Sequence, residues 1–514
     1  MERFPRIMDR TKGRVYFNCF GVAIVAFWLV MMGSLVKEQH FQDRDVAAER
    51  APAAITIGSV QREWREIFLK DKKVGYTTHI IKPFEDGYFI QEEILLKLNL
   101  MGFGSGLYSS TQCRVNSEFL LESFHLIMIS GAVRSHISGR VEDGVLVVET
   151  GRKGDERIQK IALKEPPVIG ASMSQFFKSR ELQVGQVFRL PLFDPSAMAQ
   201  KEMVVTVTAK ERLKIQKLTY DAFRLEAEIW GKKLTFWLDE EGTTLKEEGF
   251  MGLTTVLSNA ARAPEGLERA DGTDLYEIVA VQPDRRLPDP TRLVYLKLDV
   301  EGLDQAGFPQ EALNSARQKL RDRVLEISRE KVPPHGTYGL PSSGFAPDMT
   351  VFMEPEFNIE SDDPEIMAKA REIIGEEGDP VLAARRLMNW VFRNMEKRPV
   401  LAVPSAREAL RTRVGDCNEH ATLLTALLRA SGIPARLSIG LVYTREKFYY
   451  HAWTEAYLGE WISMDATLNQ MPADASHIKL VEGNVDKQVE IAGLFGELKF
   501  KVIDYRHDQA HQSD

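Results

Sequence analysis

Cysteine is scarce in this chain. Its 514 residues hold three, Cys19, Cys113 and Cys417, too few for a disulfide framework. Cys19 falls within an apolar run. An oxidising compartment would then allow one bridge, Cys113–Cys417, but Cys417 has a better explanation in its local setting. No group of Cys and His has the spacing of zinc ligands, so the pattern implies no metal and no cofactor. A dominant basic field is also missing. The net charge of −8 comes from 66 Lys and Arg against 74 Asp and Glu, which gives a nucleic acid nothing to follow. Otherwise the composition, 44% apolar and 27% charged, is that of a globular chain long enough for about three domains.

Long apolar runs are absent but for one, YFNCFGVAIVAFWLVMMGSLV at residues 16–36. As a helix it can cross a hydrocarbon layer of ~30 Å. Arg3, Arg6, Arg10, Lys12 and Arg14 precede it. Only Lys37, Arg44 and Arg50 follow it before residue 51. That bias places residues 1–15 in the cytosol and the bulk of the chain outside. A cleaved signal would have a core of ~7–15 residues with a small-residue site close behind. This run is longer, and its first such site, near Ala47 and Ala48, is far from Val36. The expectation is an uncleaved single-pass anchor in the cytoplasmic membrane, followed by a polar linker at 37–58 and a periplasmic or extracellular remainder.

From residue 59 to 349 the pattern is β-rich. Short apolar stretches such as MVVTVTA and LTFWLDE alternate with turn signals such as DKKVG, EDG and KGD. This reads as a large antiparallel sheet or partly closed barrel. His79, His125 and His136 are scattered through it and read as structural. Residues 309–330 could include a charged helix. The loop PPHGTYGLPSSGFAPD at 333–348 leads to a boundary near 350.

Helices dominate next. SDDPEIMAKAREIIG (361–375) has an Asp cap, Pro364 in the first turn and Gly375 at its end. Helical periods follow at 380–395 and 404–412. ARLSIGLVY, FYYHAWTEAYL and WISMDAT then read as three strands. Helices first and an antiparallel sheet after make an α+β domain over 350–503, with 504–514 a polar tail.

Within it, RTRVGDCNEHATLLTALLRASGIPAR (411–436) sets Cys417 at the first turn of a helix. A cysteine reacts as its thiolate, and a helix N-terminus favours that anion. The same N–H groups can bind the oxyanion of a tetrahedral intermediate. Asp416 and Glu419 oppose the thiolate, but as a capping pair they have a structural task. A base is therefore needed. His451, taken alone, reads as a core histidine. Asp465, however, is a lone aspartate in an apolar strand, costly without a partner. A histidine across the hairpin would be that partner, and the carboxylate would fix the imidazole's tautomer. Strand parity then demands an odd-length turn or a bulge near Gly459, with positive φ at that glycine. With the turn at Tyr457-Leu458-Gly459, Asp465 would lie directly across from His451.

GDCNEHATLLTALLRASGIPAR followed by HAWTEAYLGEWISMDAT resembles the transglutaminase-like superfamily, in its bacterial membrane-anchored type. The resemblance covers about residues 355–500 and implies a papain-like α+β core. In this resemblance Cys417 is the nucleophile, His451 the general base and Asp465 the orienting acid. NQMPADASHIKL (469–480) is similar to the continuation in bacterial members, while the usual Asp-Pro-Thr is here Asp465-Ala466-Thr467. The resemblance implies attack on protein or peptide amides through a thioester, resolved by water or by an amine. The alternative is a non-catalytic interaction or scaffold protein of the cell envelope that keeps the fold.

Overall fold

A computed structural model describes residues 59–508, less 85, 101–102, 153–154, 179, 230–231, 250–251, 268–273, 304–307, 309, 342–344, 402 and 484–488. The apolar run at 16–36 lies outside the described residues. Among those described, no helix is long and apolar enough to cross a membrane.

Residues 61–258 build a 15-stranded sheet. Eight strands from Gln61 to Ala162 form one meander, and seven from Val168 to Ser258 form another. The two are joined where Gln61–Leu69 pairs antiparallel with Leu253–Ser258. Val168–Ile169 is the exception, pairing parallel with Val187–Asp194. Alternation along each strand sets which side faces the core. In Leu121–Ser130, Phe124, Leu126 and Met128 point inward and their neighbours do not. The histidines of this sheet are less scattered than the sequence suggests. His125 and His136 lie on adjacent strands with their Nε2 atoms 3.0 Å apart. His79 Nε2 lies 2.7 Å from the Ala171 carbonyl.

The C-terminal part begins with four helices: α1 (Pro364–Ile374), α2 (Pro380–Asn394), α3 (Ala406–Thr412) and α4 (Cys417–Ala430). Asp363, Asp379 and Ser405 cap the first three, each accepting N–H bonds from the first turn, and Gly375 ends α1 with φ +59°. α4 is buried from Cys417 through Arg429. A helix covered on every face needs packing all around it, and α4 has the other three helices on one side and a sheet on the other. That sheet runs Trp461–Met464, Lys447–Tyr457, Ala435–Thr444, Ile478–Glu482.

Three expectations differ from what is observed. Residues 309–330 hold the strands Gln318–Arg321 and Val324–Ser328, with a single 3-10 turn at Gln310–Leu313, and not a long charged helix. Leu325 and Ile327 are buried and alternate with the more exposed Val324, Glu326 and Ser328, a period of two, and Asp322 takes the positive φ (55°) of a tight hairpin. Strand Lys499–His507 runs on through residue 504, where a polar tail was expected, because it pairs with Leu293–Glu301. Packing also crosses 350. Arg317 donates to Ser463 Oγ (2.6 Å) and to the Asp474 carbonyl (2.7 Å), so the strands before that point help to build the C-terminal core.

Candidate active site

Cys417 is the first residue of α4, with Asp416 at the cap. The cap is the reciprocal kind. Asn418 N donates to Asp416 Oδ1 at 2.8 Å, and Asp416 N donates to Glu419 Oε2 at 3.0 Å. The Asn418 N–H is therefore already engaged by the cap. Burial first, and then the neighbouring Glu419, push the Asp416 carboxyl well above its ordinary range. Burial also raises Glu419. Both carboxyls are shifted toward the neutral form, so the pair opposes a thiolate at Cys417 less than two full charges would. Neither Cys113 nor Cys417 is in a disulfide.

His451 sits mid-strand in Lys447–Tyr457. The strand returns as Trp461–Met464 with Tyr457 opposite Trp461. The turn is thus Leu458-Gly459-Glu460, odd in length, and Gly459 has φ +106°. Leu458 N donates across it to the Glu460 carbonyl at 2.8 Å. The turn sits one residue later than the Tyr457-Leu458-Gly459 reading, and this shifts the pairing by two. Thr454 lies opposite Met464, so Asp465 comes level with Trp453 rather than His451. Parity survives a shift of two: His451 and Asp465 share a face as diagonal neighbours, within reach of long side chains. His451 Nε2 and Asp465 Oδ2 are 2.7 Å apart. An alanine at Gly459 would take up a left-handed φ and place its Cβ 2.7 Å from Thr337 Cγ2. Gly459→Ala should destabilise the protein by about 1–3 kcal/mol. An unfolding midpoint equal to wild type in urea would show that the turn tolerates a side chain.

A carboxylate accepts only, so His451 Nε2 carries the proton and Nδ1 is the basic nitrogen. Nδ1 is buried and has no hydrogen-bond partner among the described residues. α4 lies against this strand: Thr454 Oγ1 donates to the Ala421 carbonyl at 3.1 Å and meets Thr425 Oγ1 at 3.1 Å. His420, three residues after Cys417, senses the charges of both His451 and Asp465. Burial lowers its own pKa to about 4, so it is a neutral ring, with Nδ1 2.6 Å from the Asp416 carbonyl.

Two further groups escaped the sequence reading. His477 Nε2 lies 3.0 Å from the same Asp465 Oδ2. It belongs to NQMPADASHIKL, where a histidine directly before the alternating apolar positions Ile478 and Leu480 was a usable signal. Lys397 had no signal, because only the fold brings it here. It pairs with Gly415 in a short parallel bridge just before the cysteine helix. Burial lowers its amine to about 7, with Asp465 pulling the other way. Burial opposes the charge on Asp465 too, but His451 and His477 outweigh it and hold the carboxyl well below its usual range.

The donor atoms of His451, Asp465 and His477 lie within 4.8 Å of one another, a spacing that suits a cation as well. Hydrogen bonds already account for each contact, and His477 has its other nitrogen turned to Asp474. Cys417, His451 and Asp465 are 1%, 0% and 0% exposed, so the site is closed. Residues 398–405 lead into α3 and α4, and the large sheet grips them: Leu401 N donates to Ser130 Oγ at 2.9 Å, and Ser135 Oγ to the Val403 carbonyl at 3.2 Å. A cavity of about 520 Å³ opens between the sheet and residues 355–357, lined by Arg157, Gln159, Ser196 and Phe357 but by none of the three.

The transglutaminase-like superfamily matches residues 367–466. A family described only as a protein of unknown function, DUF3108, matches residues 131–252. Among solved structures the chain is similar to a protein provisionally named a cysteine protease from Cytophaga hutchinsonii. They share 17% identity at a TM-score of 0.29, over 45% of this chain and 86% of that one. A β-barrel-like protein from Brucella abortus shares 12% at a TM-score of 0.31, over 38% and 95%. A protein provisionally named a protease from Parabacteroides distasonis shares 12% at 0.20, over 73% and 69%. No curated protein matches the chain.

Proposed function

We propose, from the premise that the C-terminal region is a transglutaminase-like domain, that the protein is a cysteine hydrolase or acyltransferase acting on protein or peptide amides. The observation that carries the reading is the buried His451–Asp465 hydrogen bond of 2.7 Å, which leaves His451 Nδ1 unpartnered beside a helix that starts at Cys417. In this reading Nδ1 takes the thiol proton, and the thiolate of Cys417 attacks an amide carbonyl carbon. The S–C bond forms and a tetrahedral oxyanion collapses. The C–N bond breaks, and the proton on Nδ1 goes to the leaving amine. Water or a second amine then resolves the thioester. Nothing in the site favours one acceptor over the other.

The large sheet has a part in this reading. Its hold on residues 398–405 ties it to the segment leading to Asp416 and Cys417. That supports a role in presenting substrate or opening the closed site. The anchor at 16–36 would put both parts on the outer side of the cytoplasmic membrane. The second reading, an interaction protein that keeps the fold without turnover, draws on the complete burial of the three side chains.

Proteomics of free and cross-linked amines in cells carrying wild type or Cys417→Ala tests the reading. Wild type should enrich new amide termini or isopeptides among envelope proteins, and identical profiles would favour the interaction protein. In the same cells the full-length chain should stay in the membrane after alkaline carbonate washing. A soluble form starting near residue 49 would overturn the anchor.

A further inference from the structure

We propose that His477 is a positioning residue of this site: it is the second ring that binds Asp465 and keeps its carboxylate ionised and aimed at His451, and Asp474 holds His477 in that task. The inference rests on the catalytic reading above and extends it one tier outward.

Asp465 Oδ2 lies between two rings, 2.7 Å from His451 Nε2 and 3.0 Å from His477 Nε2. Its other oxygen accepts the Thr467 N–H at 2.7 Å and the Leu468 N–H at 3.0 Å. The remaining nitrogen of His477, Nδ1, faces Asp474 Oδ1 at 3.3 Å. A neutral imidazole has one donor and one acceptor nitrogen. Both nitrogens of His477 face carboxylate oxygens, so only the imidazolium satisfies the arrangement.

Asp474 is itself held. Its Oδ1 accepts from Ser476 N at 2.8 Å and Ser476 Oγ at 2.5 Å, and its Oδ2 accepts from Gln470 Nε2 at 2.8 Å. The backbone of Gln470 bonds back to Asp465 in both directions. Residues 465–477 thus form a closed loop that fixes the two aspartates relative to each other. Trp453 packs edge-on against the His477 ring at 5.3 Å and helps to keep water out.

Charge balance gives this arrangement a chemical consequence. Two carboxylates and one imidazolium leave a net charge of one minus behind His451, enough to balance the single imidazolium that forms when Cys417 gives up its proton. Without His477 that region would hold two minus charges. Burial works against the charge on His477, but Asp474 and Asp465 outweigh it and hold its pKa up to about 9. The other titratable groups facing the site are Lys397 from the short bridge, His420 from α4 and the Asp416–Glu419 capping pair at its start.

The test is the pH profile of Cys417 alkylation by iodoacetamide in the detergent-solubilised full chain, wild type against His477→Gln. Glutamine keeps an N–H for Asp465 and removes the charge. Losing a buried positive charge raises the pKa of every neighbour, so the limbs of the profile should move to higher pH by about one unit. A uniformly slower reaction with unmoved limbs would show a merely structural side chain and overturn the inference. If wild-type Cys417 reacts no faster than Cys113, the catalytic reading itself fails, which is a separate outcome. A measurement on wild type alone guards against a variant that does not fold. In the full chain labelled with ¹⁵N-histidine, one ring should persist as imidazolium at pH 8. No such ring would overturn the inference.

Discussion

Iodoacetamide at neutral pH will alkylate Cys417 and leave Cys113 untouched, and His451→Ala will make Cys417 nearly as inert. Cys113 lies on strand Phe103–Asn116 of the large sheet, 1% exposed, and burial, with the nearby Glu92, pushes its thiol far above the ordinary cysteine range. At pH 7 almost none of it is thiolate. Cys417 is also 1% exposed, so burial alone predicts the same silence from both. Three features separate them: the positive end of α4, which favours an anion at its first residue; the Nδ1 of His451, unpartnered among the described residues; and the upward shift of Asp416 and Glu419 by burial, which spares Cys417 part of their repulsion. Removing His451 takes away the acceptor for the thiol proton, an effect on the order of 10²–10⁴ in rate for a positioned base. Mass spectrometry of the two cysteine peptides over time reads both rates in one sample. Equal rates at Cys113 and Cys417, or no change on losing His451, would sink the catalytic reading. They would favour the interaction protein.

Local signals carried most of what the sequence disclosed about this site. The reciprocal cap at Asp416 and Glu419 spans four residues, and nothing distant is needed to form it. The turn at Gly459 was legible because a buried histidine and aspartate that bond across adjacent strands must share a face, and an odd turn or a bulge is needed for that. The turn's position was not legible to the residue. Leu458 is fully buried and Gly459 packs on Thr337, contacts from outside the hairpin that select the register. His477 was missed because its partners lie 3 and 12 residues back, joined by a loop that sequence periodicity does not describe. Lys397 was missed for a similar reason: its bridge to Gly415 closes over two helices' ends. The large sheet was recognised as β-rich from its turns, yet its order was not. Pairing of Gln61–Leu69 with Leu253–Ser258 is a contact between residues almost two hundred positions apart. No local pattern fixes it.

Asp465→Asn is expected to lower the rate of thioester formation by about 10⁴, and the reason lies in what the carboxylate accepts. Its two oxygens take four N–H donors: the His451 and His477 rings on Oδ2, and the Thr467 and Leu468 backbones on Oδ1. An asparagine has one acceptor oxygen and one donor amide. If its NH₂ faces the backbone, it meets two N–H groups that cannot accept. The NH₂ must therefore face the rings, and His451 must then present the lone pair of Nε2. Its proton moves to Nδ1, the nitrogen that takes the thiol proton in the proposed mechanism, and that base would be lost without moving an atom of the backbone. Stability should fall as well, by about 3–5 kcal/mol at pH 7, because the buried His477 imidazolium loses one of its two counter-charges and the His451 N–H loses its acceptor. The pH dependence gives the check. The folded pKa of Asp465 lies well below its unfolded value, so its contribution is present above about pH 4 and is lost as pH falls through the folded value. The gap in urea stability between wild type and Asp465→Asn should therefore narrow on acidification below pH 4. A gap that stays constant with pH would mean that Asp465 holds the loop by shape and not by charge. In that case the tautomer of His451 is set by something else.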